Sequence, residues 1–359
     1  MDPTPGLTNI SASLNGTLAS AGCVVESPEY ITNGVVTFHF TSSSHSTSAT
    51  YNVGSTQTYA QVSNVQLEAA TTYSVYASCS ATNGESVRSN STTLTTAAPA
   101  AQPSESWLEL PAVDTKMYPN AEELKVKSGG ERNYTAYYDK STYTSMWTAY
   151  PLQSKHMGSL SRPSKWYYNT EIDQEYQVNL TDSSYEGDTY SRGHLIPNAS
   201  RNGISEMQKQ TFYVTNSVPQ VQNSFNSGIW SSLEGALQTM AKGGETLYIV
   251  TGVAFKKVGE TKSVSYIQAK DDTKNIPIPN YFYKIVLKVT TNSSGTVTSA
   301  STIGFWFENK AYDNSTYTNC AVSVDQVEQW TGFDFFANLP DGVEASAESN
   351  TNWSTFQNF

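Results

Sequence analysis

The sequence predicts an α+β protein in two parts, an N-terminal all-β sandwich and a larger mixed domain with a central sheet flanked by helices. Three observations support this. Residues 1–97 consist of short β-type runs punctuated by Ser, Thr, Asn and Gly; a stretch of small residues and prolines follows; and beyond it strand-like runs are mixed with helical spacing. At 359 residues the chain is long enough for two cores.

In the first 97 residues a single base, Arg88, stands against five acids. Val35-Val-Thr-Phe-His-Phe40 alternates as a half-buried strand does. Cys23 and Cys79 both fall here: a disulfide between them is one reading, two thiols buried as small hydrophobes the other. The run Leu67-Glu-Ala-Ala-Thr-Thr-Tyr73-Ser-Val-Tyr-Ala77 resembles the late-strand signature of fibronectin type III domains. That resemblance implies a corner hydrogen bond from Tyr73 to upstream backbone and a spacer without a ligand.

Thr95-Thr-Ala-Ala-Pro-Ala-Ala-Gln-Pro103-Ser cannot bury a core, so a linker is expected over residues 98–106 and a second domain over 107–359. Apart from Glu105 in the linker, the second domain carries the remaining 20 bases and 26 acids. Tyr248–Phe255 and Tyr281–Val289, rich in β-branched and aromatic residues, read as core strands. From Asn226 to Ala241, Trp230, Leu233, Leu237 and Met240 recur at helical spacing. If Asn226 starts this helix, Glu234, eight residues on, points within about 80° of it. Val324, Val327 and Trp330 mark a second, packing helix.

Composition excludes disorder: 38% of residues are hydrophobic, 12% aromatic and only 15% charged. The surface should be rich in hydroxyls and amides, as is common outside the cytoplasm. A net charge of -11 counts against broad affinity for a polyanion, which comes from Lys and Arg neutralising phosphates. It leaves room for a local phosphate-facing patch with a metal. No run approaches the roughly 20 apolar residues that span a bilayer. Met1–Pro5 lacks a basic-then-apolar signal, so either the protein is cytoplasmic or an export signal was trimmed; trimming is favoured, and a secreted, periplasmic or cell-surface protein is the expectation.

Chemistry concentrates around one of four histidines. His39 alternates within a strand, His45 sits in a serine-rich loop, and His156 has no evident partners. His194 lies in Tyr190-Ser-Arg192-Gly-His194-Leu-Ile-Pro-Asn198. There a guanidinium suited to phosphate, a glycine that allows close approach and an imidazole able to take a proton near pH 7 are adjacent. On its own such a triplet occurs often by chance, and a surface histidine is the default reading. Downstream come Asn216-Ser-Val-Pro-Gln220 and Asn226-Ser-Gly-Ile-Trp230-Ser-Ser-Leu-Glu234. Alone, Asn226 reads as a helix cap and Glu234 as an exposed helical carboxylate.

In order and spacing this series resembles the DNA/RNA nonspecific endonuclease family, the group of the Serratia-type nuclease and endonuclease G. Trp147-Thr-Ala-Tyr150, Ile278–Leu287 and Val324–Phe336 extend the resemblance to about 250 residues. It implies a ββα-metal fold with a central antiparallel sheet. It also implies magnesium-dependent, sequence-nonspecific cleavage of DNA and RNA, with 5′-phosphorylated products and Mn²⁺ as a substitute ion. By the resemblance, His194 is the general base, Asn226 the one direct protein ligand of Mg²⁺, and Glu234 a carboxylate holding water on that ion. Arg192 binds the scissile phosphate and Asn216 braces the site. Few protein ligands and many retained waters suit Mg²⁺. A zinc site lacks its Cys/His cluster, and a Ser-His-Asp hydrolase lacks its G-x-S-x-G elbow.

Three positions depart from the family. Ser191 replaces the usual Asp, and Pro151 and Gln238 stand where the Serratia-type enzyme has phosphate-facing arginines; Lys155, Arg162 and Arg201 are the available substitutes. These departures motivate one rival reading, a degenerate nuclease fold that only binds nucleic acid or another anionic polymer; a second rival is an adhesion or surface-assembly protein whose β domain does the work.

Overall fold

The computed structural model describes residues 4–15, 17–68, 70–96, 106–313 and 315–359. The chain divides into two units, Met1–Pro99 and Ala100–Phe359. Apart from Ser106, the expected linker lies outside the described residues.

Among the described residues the first unit holds eight strands: β1 (Gly6–Asn15), β2 (Leu18–Glu26), β3 (Val35–Thr41), β4 (Ser46–Asn52), β5 (Tyr59–Gln66), β6 (Thr72–Ser80), β7 (Ser86–Arg88) and β8 (Thr92–Thr95). One sheet runs β1-β2-β5, the other β4-β3-β6-β7, with β8 also on β6. Alternation along β3 buries Val36, Phe38 and Phe40, which share one core with Ala19, Ala21 and Cys23 of the facing sheet. Tyr73 is fully buried, and its hydroxyl accepts from Glu68 N at 3.0 Å, the corner bond expected of it. Cys23 and Cys79 are buried free thiols. Burial and the neighbouring Cys79 push the Cys23 thiol up to about 11. His39 is structural, its Nε2 2.8 Å from Ser78 Oγ.

The second unit is organised by an antiparallel sheet of seven strands. In chain order its strands are β9 (Ala121–Ser128), β10 (Glu131–Asp139), β11 (Thr144–Leu152), then β12 (Tyr190–His194) and β13 (Ser217–Val221), which pair only with each other. There follow β14 (Leu247–Ala254), the short pair β15 (Tyr266–Ile267) and β16 (Ile276–Pro277), β17 (Tyr281–Thr291), β18 (Val297–Glu308) and β19 (Ala321–Val322). The large sheet runs β19-β18-β17-β14-β11-β10-β9, so β9 and β19 are its edges. The helices are α1 (Ser205–Gln210), α2 (Ser231–Lys242), α3 (Val324–Thr331), α4 (Asp341–Ala347) and α5 (Trp353–Gln357).

The core strands read as unbroken apolar runs because both faces of the sheet are covered. On one face Phe282, Val286 and Phe305 pack with Trp230 and with Leu233 and Leu237 of α2. On the other, Tyr283, Ile285 and Leu287 pack with Val324 and Val327 of α3 and with Phe333, Phe335 and Phe336. Ser323 caps α3, its side chain accepting from Gln326 N.

The expected start of α2 needs correction. The helix begins at Ser231; Gln222–Trp230 forms a wide irregular turn in which Asn223, Ser224 and Gly228 leave helical angles. The eight-residue rotation between Asn226 and Glu234 therefore does not describe their geometry, and Asn226 does not cap the helix.

Candidate active site

The segments Arg192-Gly-His194 and Asn216–Gln220 meet as partners in one small sheet. β12 and β13 pair with Ser191 opposite Gln220, Gly193 opposite Val218 and His194 opposite Ser217. The pairing demands the glycine: a Cβ on residue 193 would lie 2.4 Å from Gln220 Oε1 and 2.5 Å from Gln220 Cβ. Just past the strand, Asn216 clamps the chain from beneath. Fully buried, it accepts from Ile196 N at 3.0 Å and donates to Ile196 O at 3.0 Å and Thr211 O at 2.8 Å.

His194 is held between Trp166 and Phe212, with ring centroids 4.5 and 4.9 Å away. Its Nε2 is buried without a hydrogen-bond partner. Burial, then the charges of Arg162 and Arg192, push the imidazole down to about 3, against a backbone hydrogen bond with Arg192 that raises it. The ring is neutral at physiological pH, the form that accepts a proton.

A cleft of about 470 Å³ brings His194 together with Arg192, Ser191, Asn226 and Glu234. Asn226 Nδ2 donates to Ser191 Oγ and to Gln222 Oε1, both at 3.0 Å. With its amide hydrogens engaged, Oδ1 keeps no protein partner among the described residues. Glu234 stands in the first turn of α2, with Oε1 buried and unpartnered, so it is not the exposed carboxylate of the blander reading. Its burial raises the carboxyl above its usual range, opposed by Lys284 and the Trp230 indole. Lys284 of β17 is fully buried, donates to Thr251 Oγ1 and lies 4.7 Å from the Trp230 ring centre. Burial lowers its ammonium, opposed in turn by Glu234. Each charge offsets part of the other's desolvation.

A wider groove of about 740 Å³, lined by Ser227, Ser232, Tyr312 and Asp313, contains no histidine among the described residues. The residues capable of proton transfer and phosphate contact converge on the smaller cleft.

The sequence model of the family described as DNA/RNA non-specific endonuclease matches residues 118–342. The chain belongs to this family. It is a nuclease, and hence a hydrolase. A nuclease of Nostoc sp. is 29% identical over 241 residues, covering 66% of this chain and 81% of its own length. A nuclease of Syncephalastrum racemosum is 30% identical, covering 52% and 59%. Nuclease 1, mitochondrial, of Schizosaccharomyces pombe is 27% identical, covering 58% and 66%. Among solved structures, a chain of an EndoG/EndoGI complex superposes with a TM-score of 0.50 at 18% identity, covering 58% of this chain and 85% of its own, which establishes the fold.

Cations of the nuclease are distributed differently from the sequence expectation. Arg201 is fully buried, donating to Asn133 Oδ1, Asn133 O, Ser200 O and Pro151 O. It holds the strands and is unavailable to substrate. Lys155 pairs with Glu131 at 2.6 Å, beside a buried His156 whose Nε2 is 3.2 Å from the same oxygen. His156 thus has a structural partner that the sequence did not reveal. Gln238 reaches Ser200 Oγ at 3.3 Å. Arg162 alone of the three substitutes lines the cleft, its Cζ 4.8 Å from the Phe212 ring centre. Arg192 donates to Leu180 O and Ser183 O through Nη1, at 2.7 and 2.9 Å, which fixes its guanidinium beside Trp166.

Lys284 is absent from the residues singled out in the sequence, and Arg162 stands there only as one of three possible substitutes. Arg162 lies in a loop with no motif around it. Lys284 left a signal: one lysine inside Tyr281-Phe-Tyr-Lys-Ile-Val-Leu287 must be buried and paired if the strand is a core strand.

Proposed function

We propose that this nuclease cleaves DNA and RNA without sequence preference, using Mg²⁺ and a water deprotonated by His194, and leaves 5′-phosphorylated ends. The observation carrying this reading is the buried, unpartnered Nε2 of a neutral His194 in a cleft shared with two arginines, an amide and a carboxylate. A base so placed accepts a proton without first losing one. Arg162 and Arg192 position the phosphate, and Asn216 keeps the backbone after His194 in register.

The residues present fit a hard cation. Among the described residues Asn226 Oδ1 has no protein partner, Glu234 Oε1 is buried and orphaned, and no thiol or second imidazole lines the cleft. Asn226 would hold the ion directly, and Glu234 would order its hydration. When bound, Mg²⁺ supplies a Lewis acid for charge developing on the phosphate and the departing oxygen; Mn²⁺ is expected to substitute. The remaining work belongs to this chain: binding by the arginines, proton acceptance by His194, and rigidity from Asn216 and Lys284.

The two facing antiparallel sheets, of three and five strands, and the Tyr73 corner support reading the first unit as a fibronectin type III-like spacer. The hydroxyl-rich composition supports an exported protein. No helix among the described residues is long and apolar enough to cross a membrane.

The test is plasmid nicking and RNA cleavage with Mg²⁺ or with EDTA, followed by end-group analysis. Cleavage that needs the ion and leaves 5′-phosphates is expected. Full activity in EDTA, or binding without cleavage, would overturn the reading.

A further inference from the structure

We propose that the nuclease unit carries a second divalent-cation site, for a Ca²⁺-like ion, formed by Asp325 and Glu328 of α3 and Glu348 at the end of α4. Ligand oxygens of the three side chains all lie within 4.8 Å of one another. Oxygens around one Ca²⁺ at roughly 2.3–2.6 Å are at most about 5 Å apart, so the three fit a single coordination sphere.

Proximity of acids does not make a site, and a separate observation points to a ligand. Glu348 is only 5% exposed, and its Oε1 is buried with no hydrogen-bond partner. A carboxylate withdrawn from water with nothing to bond is costly unless a proton or a cation joins it. None of the three acids forms an ion pair with Lys, Arg or His among the described residues. Asp334 and Glu344 add further negative charge. Burial and this repulsion hold Glu328 up at about 8 and Glu348 far above the carboxylate range. One divalent ion would replace the protons that such a cluster otherwise retains.

The frame around the acids is fixed. Glu328 Oε1 accepts from Phe335 N at 2.8 Å, and no bond occupies its Oε2. Val324 N donates to Glu348 O at 2.9 Å, joining the start of α3 to the end of α4. All-oxygen ligation without imidazole or thiolate selects a hard ion, and three anionic oxygens around one point suit Ca²⁺ better than the water-retaining Mg²⁺. The site differs from the cleft: α3 packs on the sheet face opposite to that covered by α2.

The experiment uses the full chain after EDTA treatment. Calorimetric titration with CaCl₂ of the Asn226→Ala variant, which disables the cleft's proposed ligand, should give one bound Ca²⁺. Thermal unfolding followed by tryptophan fluorescence should show a transition raised by at least about 3 °C at saturating ion. Asp325→Asn and Glu348→Gln should each weaken Ca²⁺ binding tenfold or more while plasmid cleavage in Mg²⁺ stays unchanged. Asp325 is exposed, so its variant decides the matter if Glu348→Gln fails to fold. Absence of Ca²⁺ binding in Asn226→Ala would overturn the proposal. So would unaltered binding in Asp325→Asn, or a Glu348→Gln protein that in EDTA already reaches the thermal stability sought from the ion while the parent gains nothing from Ca²⁺.

Discussion

Asn226 Nδ2 donates to Ser191 Oγ across 3.0 Å, so the residue that departs from the family pattern holds the residue proposed to bind the metal. Ser191 Oγ also donates to Gln220 O at 3.3 Å, tying the Asn226 side chain to the β12–β13 pair through one hydroxyl. Ser191→Ala should therefore raise the Mg²⁺ concentration for half-maximal cleavage about tenfold, and Asn226→Ala further. Neither should change oligonucleotide binding measured in EDTA. A Ser191→Ala enzyme with the parent's Mg²⁺ dependence would show that Gln222 positions the amide unaided.

His194→Gln should lower cleavage of a short oligonucleotide by about a hundredfold or more. Its effect on stability has a definite sign. The imidazole sits near 3 in the folded chain and near about 6.5 when unfolded. Between these values the unfolded state binds the extra proton, so stability present above pH 6.5 is lost as pH falls towards 3. All seven tryptophans lie at or beyond residue 107, so their fluorescence reports the nuclease unit alone. Urea unfolding between pH 7.5 and 4.5 should weaken more steeply in the parent than in His194→Gln, by up to about 1.4 kcal/mol per pH unit. Equal slopes would mean that His194 is protonated in the folded enzyme.

Two arginines should behave oppositely. Arg162→Ala should cut kcat/KM about tenfold and flatten its dependence on salt, because a phosphate-facing cation is lost from the cleft. Arg201→Ala should instead unfold or strongly destabilise the unit, by about 3 kcal/mol or more, since it orphans Asn133 Oδ1 and three buried carbonyls. Intact melting behaviour in Arg201→Ala would contradict its structural assignment.

Legibility of the sequence followed the physics of each element. β17 and α3 were readable because unbroken apolar runs and i, i+3 spacing leave few alternatives. The start of α2 was not: Trp230 and Leu233 extend the helical spacing backwards, while Ser224, at φ 61°, and Gly228 bend the chain out of the helix just before it. His194, Asn226 and Glu234 stand out through the family resemblance that the order and spacing of their motifs carry, and the structure gathers them in one cleft. Arg162 arrives there through a loop whose path depends on tertiary packing. The interior fate of Arg201 depends on carbonyls of Pro151 and Asn133, 50 and 68 residues away. Neither relation has a local signature.

A chain of residues 106–359 should fold alone and keep its activity on short oligonucleotides, since every residue placed in the cleft lies beyond the linker. The full chain should melt in two transitions, one of them silent in tryptophan fluorescence. Insolubility together with lost activity on truncation would show that the two cores depend on each other.

At the margin of the seven-stranded sheet, β9 leaves a row of backbone groups open to any extended chain that passes. Its sequence, Ala-Glu-Glu-Leu-Lys-Val-Lys-Ser, buries Leu124 and Val126 and places Glu122, Glu123, Lys125 and Lys127 between and beside them. Another copy docking there parallel and in register would bring like charges together along the strand. Charged side chains on both sides of Leu124 and Val126 thus make β9 a poor template for a neutral or apolar strand, which limits how the sheet could be extended from this edge.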